Sequence, residues 1–186
     1  AALLHHDKTA PLPFETMAGV VTATFEKDGN VTVNLTNPHS MQLFVLNADP
    51  TVGADVHFLN TGVPHAVAFL DKLEDLNISR LGADLRYHEA FSPKGTNANF
   101  ARILSPGHIA IRTYERGVED ETLACGTGMT ACALLHAVLA DAPSPIQVDV
   151  AGGDTLKVGF QRTEDRFTDV TLTGPADLVF TGDIQI

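Results

Sequence analysis

An α+β architecture, with many short strands and few helices, is expected for this chain of 186 residues. Short runs rich in β-branched residues recur along it, and a single long apolar helix opens at Cys125-Gly126-Thr127-Gly128. The chain also repeats part of itself. Strands outnumber helices without the regular strand–helix alternation of a doubly wound sheet.

Taken in order, Val20 to Phe25 and Val31 to Leu35 read as strands, with Asp28-Gly29 between them as a hairpin signal. Val45 to Leu46, Val56 to Leu59, Ala66 to Leu70, Asn99 to Leu104 and Ile109 to Tyr114 read as further short strands. Ile78, Leu81 and Leu85 fall at i, i+3 and i+7, the stripe of an amphipathic helix. A second helix runs from Gly126 to about Leu139. Val148 to Val150, Leu156 to Phe160 and Val170 to Leu172 complete the strands. Proline-containing stretches at Thr9 to Pro13 and Asp141 to Pro145 read as loops.

Those two loops occupy equivalent places in a repeat. Ala2-Leu3-Leu4-His5 recurs as Ala133-Leu134-Leu135-His136, and Ala18-Gly19 as Ala151-Gly152. Thr24-Phe25 matches Gly159-Phe160, and Val33 to Pro38 matches Val170 to Pro175. The offsets run from 131 to 137 residues, so order is kept with small length changes, as duplication requires. The second copy has its Cys-Gly-Thr-Gly helix entrance eight residues before Ala133; in the first copy that place falls before residue 1. The chain is therefore expected to open partway through a helix, Ala1 to His6 being its tail, as a piece of something longer. Residues 1–37 read as the remnant of one domain and residues 38–186 as a complete second one. The last residues are expected to pack back on the remnant.

A net charge of −11 offers no basic stripe to neutralise phosphates, which argues against a nucleic-acid surface. No apolar run is long enough to span a bilayer, so no membrane role is expected. Cys125 and Cys132 lie seven residues apart on one helix. At ~1.5 Å per residue their Cα atoms are ~10 Å apart, too far for a disulfide. Both read as free thiols of a reducing compartment, the cytoplasm. The eight histidines form no ligand pattern, so no metal site is expected.

Cys125 carries the chemistry. A helix N-terminus presents unpaired N–H groups and partial positive charge, which favour a thiolate and can grip a carboxylate. Gly126 and Gly128 allow close approach. The bland alternative is a small buried residue, and for Cys132, aligned with Leu135 and Leu139, core packing is the expected role. Glu115-Arg116-Gly117 follows a strand. It is either a solvated ion pair or a clamp in which Arg116 holds a carboxylate and Glu115 an ammonium group. His65, in the turn Gly62-Val63-Pro64-His65, is structural or sits beside a thiol, and Asn97 is a turn amide or a ligand contact.

These pieces together resemble one family. Tyr114-Glu115-Arg116-Gly117, Glu121 to Gly128, Gly62-x-Pro64-His65 and Thr96-Asn97-x-Asn99-Phe100 are similar to the motifs of diaminopimelate epimerases. The likeness covers nearly the whole chain and is most specific around Cys125. It implies two similar domains, each a curved mixed sheet wrapped around a central helix, with the substrate in the cleft between them. It implies one acid/base cysteine per domain and neither pyridoxal phosphate nor metal, so no cofactor. Its substrate would be diaminopimelate, on the way to lysine and cell-wall peptidoglycan, and a homodimer is compatible with it.

Carried over residue by residue, Cys125 is one acid/base, and Gly126 and Thr127 offer N–H groups to the reacting carboxylate. Glu115 and Arg116 contact substrate, Asn97 reads its distal end, and His65 lies near the other cysteine. Val63 stands where many members have asparagine, leaving that contact missing or supplied by Asn60. The first cysteine segment is absent, so the chain alone is expected to be inactive. Two rivals stay open: a proline-type racemase, which shares Cys-Gly-Thr-Gly but has no use for Arg116 at a distal carboxylate, and a non-catalytic amino-acid-binding module.

Overall fold

The computed structural model describes residues 9–16, 19–164, 166–177 and 179–183. In chain order the strands are β1 (Leu12–Thr16), β2 (Gly19–Phe25), β3 (Val31–Asn34), β4 (His39–Asp49), β5 (Ala54–Asn60) and β6 (Pro64–Phe69). Helix α1 (Ile78–Arg86) and a 3-10 turn (Glu89–Phe91) precede β7 (Asn97–Ser105), β8 (His108–Glu115) and β9 (Asp120–Thr122). Helix α2 (Gly126–Leu139) leads to β10 (Ile146–Asp149), β11 (Thr155–Thr163) and β12 (Arg166–Gly174). One mixed sheet takes the order β1-β2-β3-β12-β11-β10-β8-β7-β6-β5-β4, with β9 hydrogen-bonded to β8. Among the described strands only β6/β7 and β8/β10 are parallel.

The reason for this wrapping lies in α2. Its residues from Gly128 to Ala137 are all buried, and a helix apolar on every side has to be enclosed. Strands β5 to β8 and β10 to β12 pack around it. Leu59, Val67, Ile109, Ile146, Val158 and Phe167 supply much of the surrounding core. On the other face of the sheet α1 lies over β7, β8 and β9. Its first turn is capped by Asn77, whose side-chain oxygen accepts the Arg80 N–H at 3.0 Å. No helix of the described residues is long and apolar enough to cross a membrane.

The repeat has a geometric counterpart. Strands β1-β2-β3 and β10-β11-β12 are the two copies, and the sheet sets them back to back across the β3/β12 pair. In that antiparallel ladder Asn34 faces Thr171. Those two residues are also each other's counterparts in the sequence repeat, so a local two-fold axis runs through the pair. The copies differ in cover. Ala23 is the one buried residue on the described parts of β1–β3, whereas Val158, Phe160, Phe167 and Val170 are buried under α2. The helix tail expected at Ala1 to His6 lies outside the described residues. At the other terminus Val179 and Phe180 are 88% and 81% exposed, and residues 184–186, which the same expectation concerned, lie outside the described residues.

Three strands depart from expectation, the short β9 being one that no β-branched run announced. Leu12 and Pro13 belong to β1 and not to a loop; proline is tolerated there because β1 is the sheet's edge. Strand β4 is far longer than Val45 to Leu46. Its 11 residues run beside the 7 of β5 through repeated bulges, with positive φ at Ser40, Phe44 and Ala48.

Gly82 sets how closely α1 approaches the sheet. A Cβ there would lie 2.2 Å from the Tyr114 Cβ and 2.4 Å from its Cγ. Neither atom is the free end of a flexible chain. Overpacking of this kind costs about 3 kcal/mol, against about 1 kcal/mol gained in helix propensity. Gly82→Ala should therefore lose about 2 kcal/mol net, read as a lower urea midpoint at unchanged slope. An unmoved midpoint would show that the helix can retreat freely.

Candidate active site

Cys125 is the N-cap of α2, in extended conformation at φ −132° and ψ 106°. Its carbonyl takes the Met129 N–H at 2.8 Å, starting the helix, while its side chain makes no capping bond. The sulfur lies 3.6 Å from the Thr127 hydroxyl, and the N–H groups of Thr127 and Gly128 also face it. Gly128 is glycine for want of room. A Cβ there would stand 2.5 Å from Asn99 Oδ1 and 3.3 Å from the Cys125 sulfur.

Neighbouring turns close on this helix entrance. Gly62, at φ +105°, lets the chain reverse between β5 and β6. Asn60 Oδ1 accepts the Gly62 N–H at 3.0 Å, and Thr61 donates its hydroxyl to the Thr127 carbonyl at 2.9 Å. Asn60 thus uses one lone pair of its oxygen on holding this turn; its amide protons and the other lone pair remain for the contact that Val63 cannot make. His65 follows on β6, fully buried and opposite Asn97 of β7. The Asn97 amide donates to the Pro64 carbonyl at 2.9 Å and accepts the Arg116 N–H at 2.8 Å. It therefore ties the His65 turn to the Glu115–Arg116 turn, with one amide proton and one lone pair to spare.

The Glu115–Arg116–Gly117 turn is neither a free loop nor a solvated ion pair. Glu119, held at φ +60°, is its keystone. One carboxylate oxygen takes the Gly117 N–H at 3.0 Å and two N–H groups of Arg86 at 3.1 and 3.2 Å. The other takes the hydroxyls of Tyr87 at 3.1 Å and Tyr114 at 3.4 Å. The Gly117 N–H and the Arg86 ion pair hold its carboxyl below the usual range. Arg116 itself reaches the Lys94 carbonyl at 3.2 Å. Its guanidinium lines a cavity of about 470 Å³, together with Asn60, Gly62, Pro64, Lys94 and Gly95. Cys125, His65 and Asn97 do not line that cavity.

Electrostatics corrects one expectation. Burial pushes the Cys125 thiol up, outweighing the Thr127 hydroxyl and the helix N–H groups, and the Glu115 carboxylate adds to the rise. The helix terminus lessens the cost of a thiolate without making it the resting form. Cys132 is fully buried and raised further, as a packed thiol should be. Burial, with Arg116 second, pushes His65 down to about 3, so its ring is neutral at pH 7.

Every site residue expected from sequence, namely Cys125, Gly126, Thr127, His65, Asn97, Glu115 and Arg116, belongs to α2's entrance or to the turns joined to it. Sequence reading gave no role to Glu119, Thr113 or Asn99. Asn99 had a visible signal, since it lies two residues from Asn97 on the same strand and so on the same face. Glu119 had none, because Arg86 and Tyr87 reach it from a distant helix.

Iodoacetamide should label Cys125 well before Cys132 in the folded chain. Its rate should still climb as pH passes 9, since the thiolate forms only above the ordinary cysteine range. Labelling of Cys132 first, or a rate for Cys125 that levels off near pH 7, would contradict this geometry.

Comparison with known proteins gives these features a context. The family model for diaminopimelate epimerase matches residues 57–179. A diaminopimelate epimerase of Aquifex aeolicus is 44% identical over 171 residues, covering 91% of this chain and 60% of its own length. That of Hydrogenobaculum is 41% identical over 172 residues, with the same coverage. The chain spans about three fifths of the length of these relatives. Among solved structures, a probable proline racemase from Agrobacterium radiobacter superimposes with a TM-score of 0.66 at 19% identity, over 89% of this chain and 57% of its own. A phenazine biosynthesis protein of the PhzF family from Bacillus anthracis gives 0.60 at 14%, over 89% and 65%. At such identities these likenesses speak to the fold, a large mixed sheet around few helices. The matched segment runs from β5 into the residues beyond β12 and contains Cys125 and every turn around it, and on that evidence the chain belongs to the diaminopimelate epimerase family.

Proposed function

We propose that this chain is the Cys125 half of an epimerase that interconverts LL- and meso-diaminopimelate by proton transfer between two thiols, without pyridoxal phosphate or metal. The observation that carries the reading is the buried Cys125 at the entrance of α2, with the Glu115–Arg116 turn pinned beside it, in a chain of this family. Inversion at a carbon needs a base on one face and an acid on the other, because a single group returns the proton to the side it left. A Cys125 kept as the thiol at neutral pH is in the state to deliver a proton while a thiolate opposite removes one. The first-turn N–H groups at Gly126 and Thr127 suit the reacting carboxylate, as helix N-termini bind anions. Arg116, facing the neighbouring cavity, suits a distal carboxylate, and Glu115 an ammonium group.

The second acid/base is not supplied by this chain. Its one other cysteine, Cys132, is sealed in the core. Residues 1–37 as the remnant of an opposing domain, and the place in lysine and peptidoglycan synthesis, belong to the same proposal, as does a cytoplasmic setting.

The test is to incubate the chain with LL-diaminopimelate in deuterium oxide, with proline as control, and follow label uptake and meso product. Losing one member of an acid/base pair forfeits about 10²–10⁴-fold, so little or no meso product is expected from the chain alone. Slow exchange at the α-carbon, abolished by Cys125→Ala, would be consistent with the assignment. Turnover to meso product at an ordinary enzymatic rate by this chain would refute the two-thiol reading, and exchange of proline in preference to diaminopimelate would refute the substrate.

A further inference from the structure

Behind the Cys125 helix entrance lies a buried polar cluster of three side chains. Asn99 on β7 is fully buried. Its Nδ2 stands 3.0 Å from the Ala66 carbonyl and 3.1 Å from His65 Nδ1, and its Oδ1 accepts the Thr113 hydroxyl at 3.0 Å. The Thr113 hydroxyl could serve an amide in either orientation, because it can donate or accept. The Ala66 carbonyl can only accept, so it decides the matter. Turning the amide over would set Oδ1 against that oxygen, whereas the present orientation gives each amide proton an acceptor.

A consequence follows for the imidazole. With an amide proton pointed at it, His65 Nδ1 must offer its lone pair, since an N–H there would meet another N–H. A neutral imidazole carries its single proton on one nitrogen, so the proton sits on Nε2. That nitrogen is buried as well, and it has no hydrogen-bond partner among the described residues. Buried N–H groups left without an acceptor are rare in folded proteins, and this one calls for an acceptor from elsewhere.

We infer that Asn99 is a positioning residue that locks His65 as the neutral Nε2–H tautomer, so the ring serves the site as a hydrogen-bond donor and not as a base. The role of the ring in turnover rests on the epimerase reading above; the tautomer itself does not. A donor of this kind would stabilise a carboxylate or thiolate facing it without competing for the α-proton. The Asn97-x-Asn99 pair then divides its work. Asn97 joins the two substrate-facing turns, and Asn99 sets the protonation of the histidine between them.

The experiment is a two-bond proton–nitrogen correlation spectrum of the ¹⁵N-labelled chain at pH 7, with His65 assigned through His65→Gln. The expected spectrum has a protonated Nε2 and a bare Nδ1. Asn99→Asp should move the proton to Nδ1, because a carboxyl oxygen now accepts there. Asn99→Ala should draw the two nitrogen shifts toward each other as the tautomers mix. Backbone amide spectra check that each variant folds, and the parent spectrum decides even where a variant does not. A parent ring protonated on Nδ1 or on both nitrogens would overturn the inference, as would a folded Asn99→Ala with unchanged His65 nitrogens. No turnover is involved, so failure of the epimerase reading would leave this result standing, and the reverse.

Discussion

A helix with no polar face can exist in water only if something surrounds it, and α2 is buried from Gly128 to Ala137. The sheet's curvature, the parallel joints at β6/β7 and β8/β10, and the core of Leu59, Ile109, Ile146 and Val158 all answer that demand. Enclosure leaves α2 open only at its two ends, the first turn at one and Leu139 at the other. Cys125 caps the first turn, and the positive-φ reversals at Gly62 and Gly117 belong to the turns beside it.

Burial and the helix terminus then compete over Cys125. The terminus lowers the cost of negative charge on sulfur, while removal from water raises it, and burial prevails. The polar groups around the thiol are held by one another. Thr61 fastens the β5–β6 turn to Thr127, Asn97 fastens that turn to Arg116, and Glu119 fastens the Arg116 turn to α1. Rigidity here comes from a chain of hydrogen bonds, each with a buried or half-buried partner, so the site is preorganised before any ligand arrives.

Much of this was legible in the residues. The β-branched runs give the strands, and Ile78, Leu81 and Leu85 give α1, because periodicity survives wherever one face is buried. Cys-Gly-Thr-Gly gives the helix entrance, and the motifs around it give the family. Strand β1 escaped because Pro13 reads as a breaker, although an edge position has no ladder bond to lose. Most of strand β4, beyond Val45 and Leu46, escaped because bulges at Ser40, Phe44 and Ala48 destroy the alternation by which strands are recognised. The state of the Cys125 thiol escaped for a deeper reason. A dipole is local and visible in sequence, but desolvation depends on strands distant in the chain. Asn99, Thr113 and Glu119 likewise acquire meaning only through the partners that folding brings to them.

The pairing of Asn34 with Thr171 has a consequence for stereochemistry. Two hands of one carbon are related by reflection, and a chain of L-residues has no mirror plane to offer. Rotation is the symmetry open to it. A two-fold axis sets equivalent surfaces opposite one another, and a flat group lying across it meets similar surroundings above and below. The axis through Asn34 and Thr171 relates β1–β3 to β10–β12 by such a rotation, across a ladder of ordinary backbone hydrogen bonds.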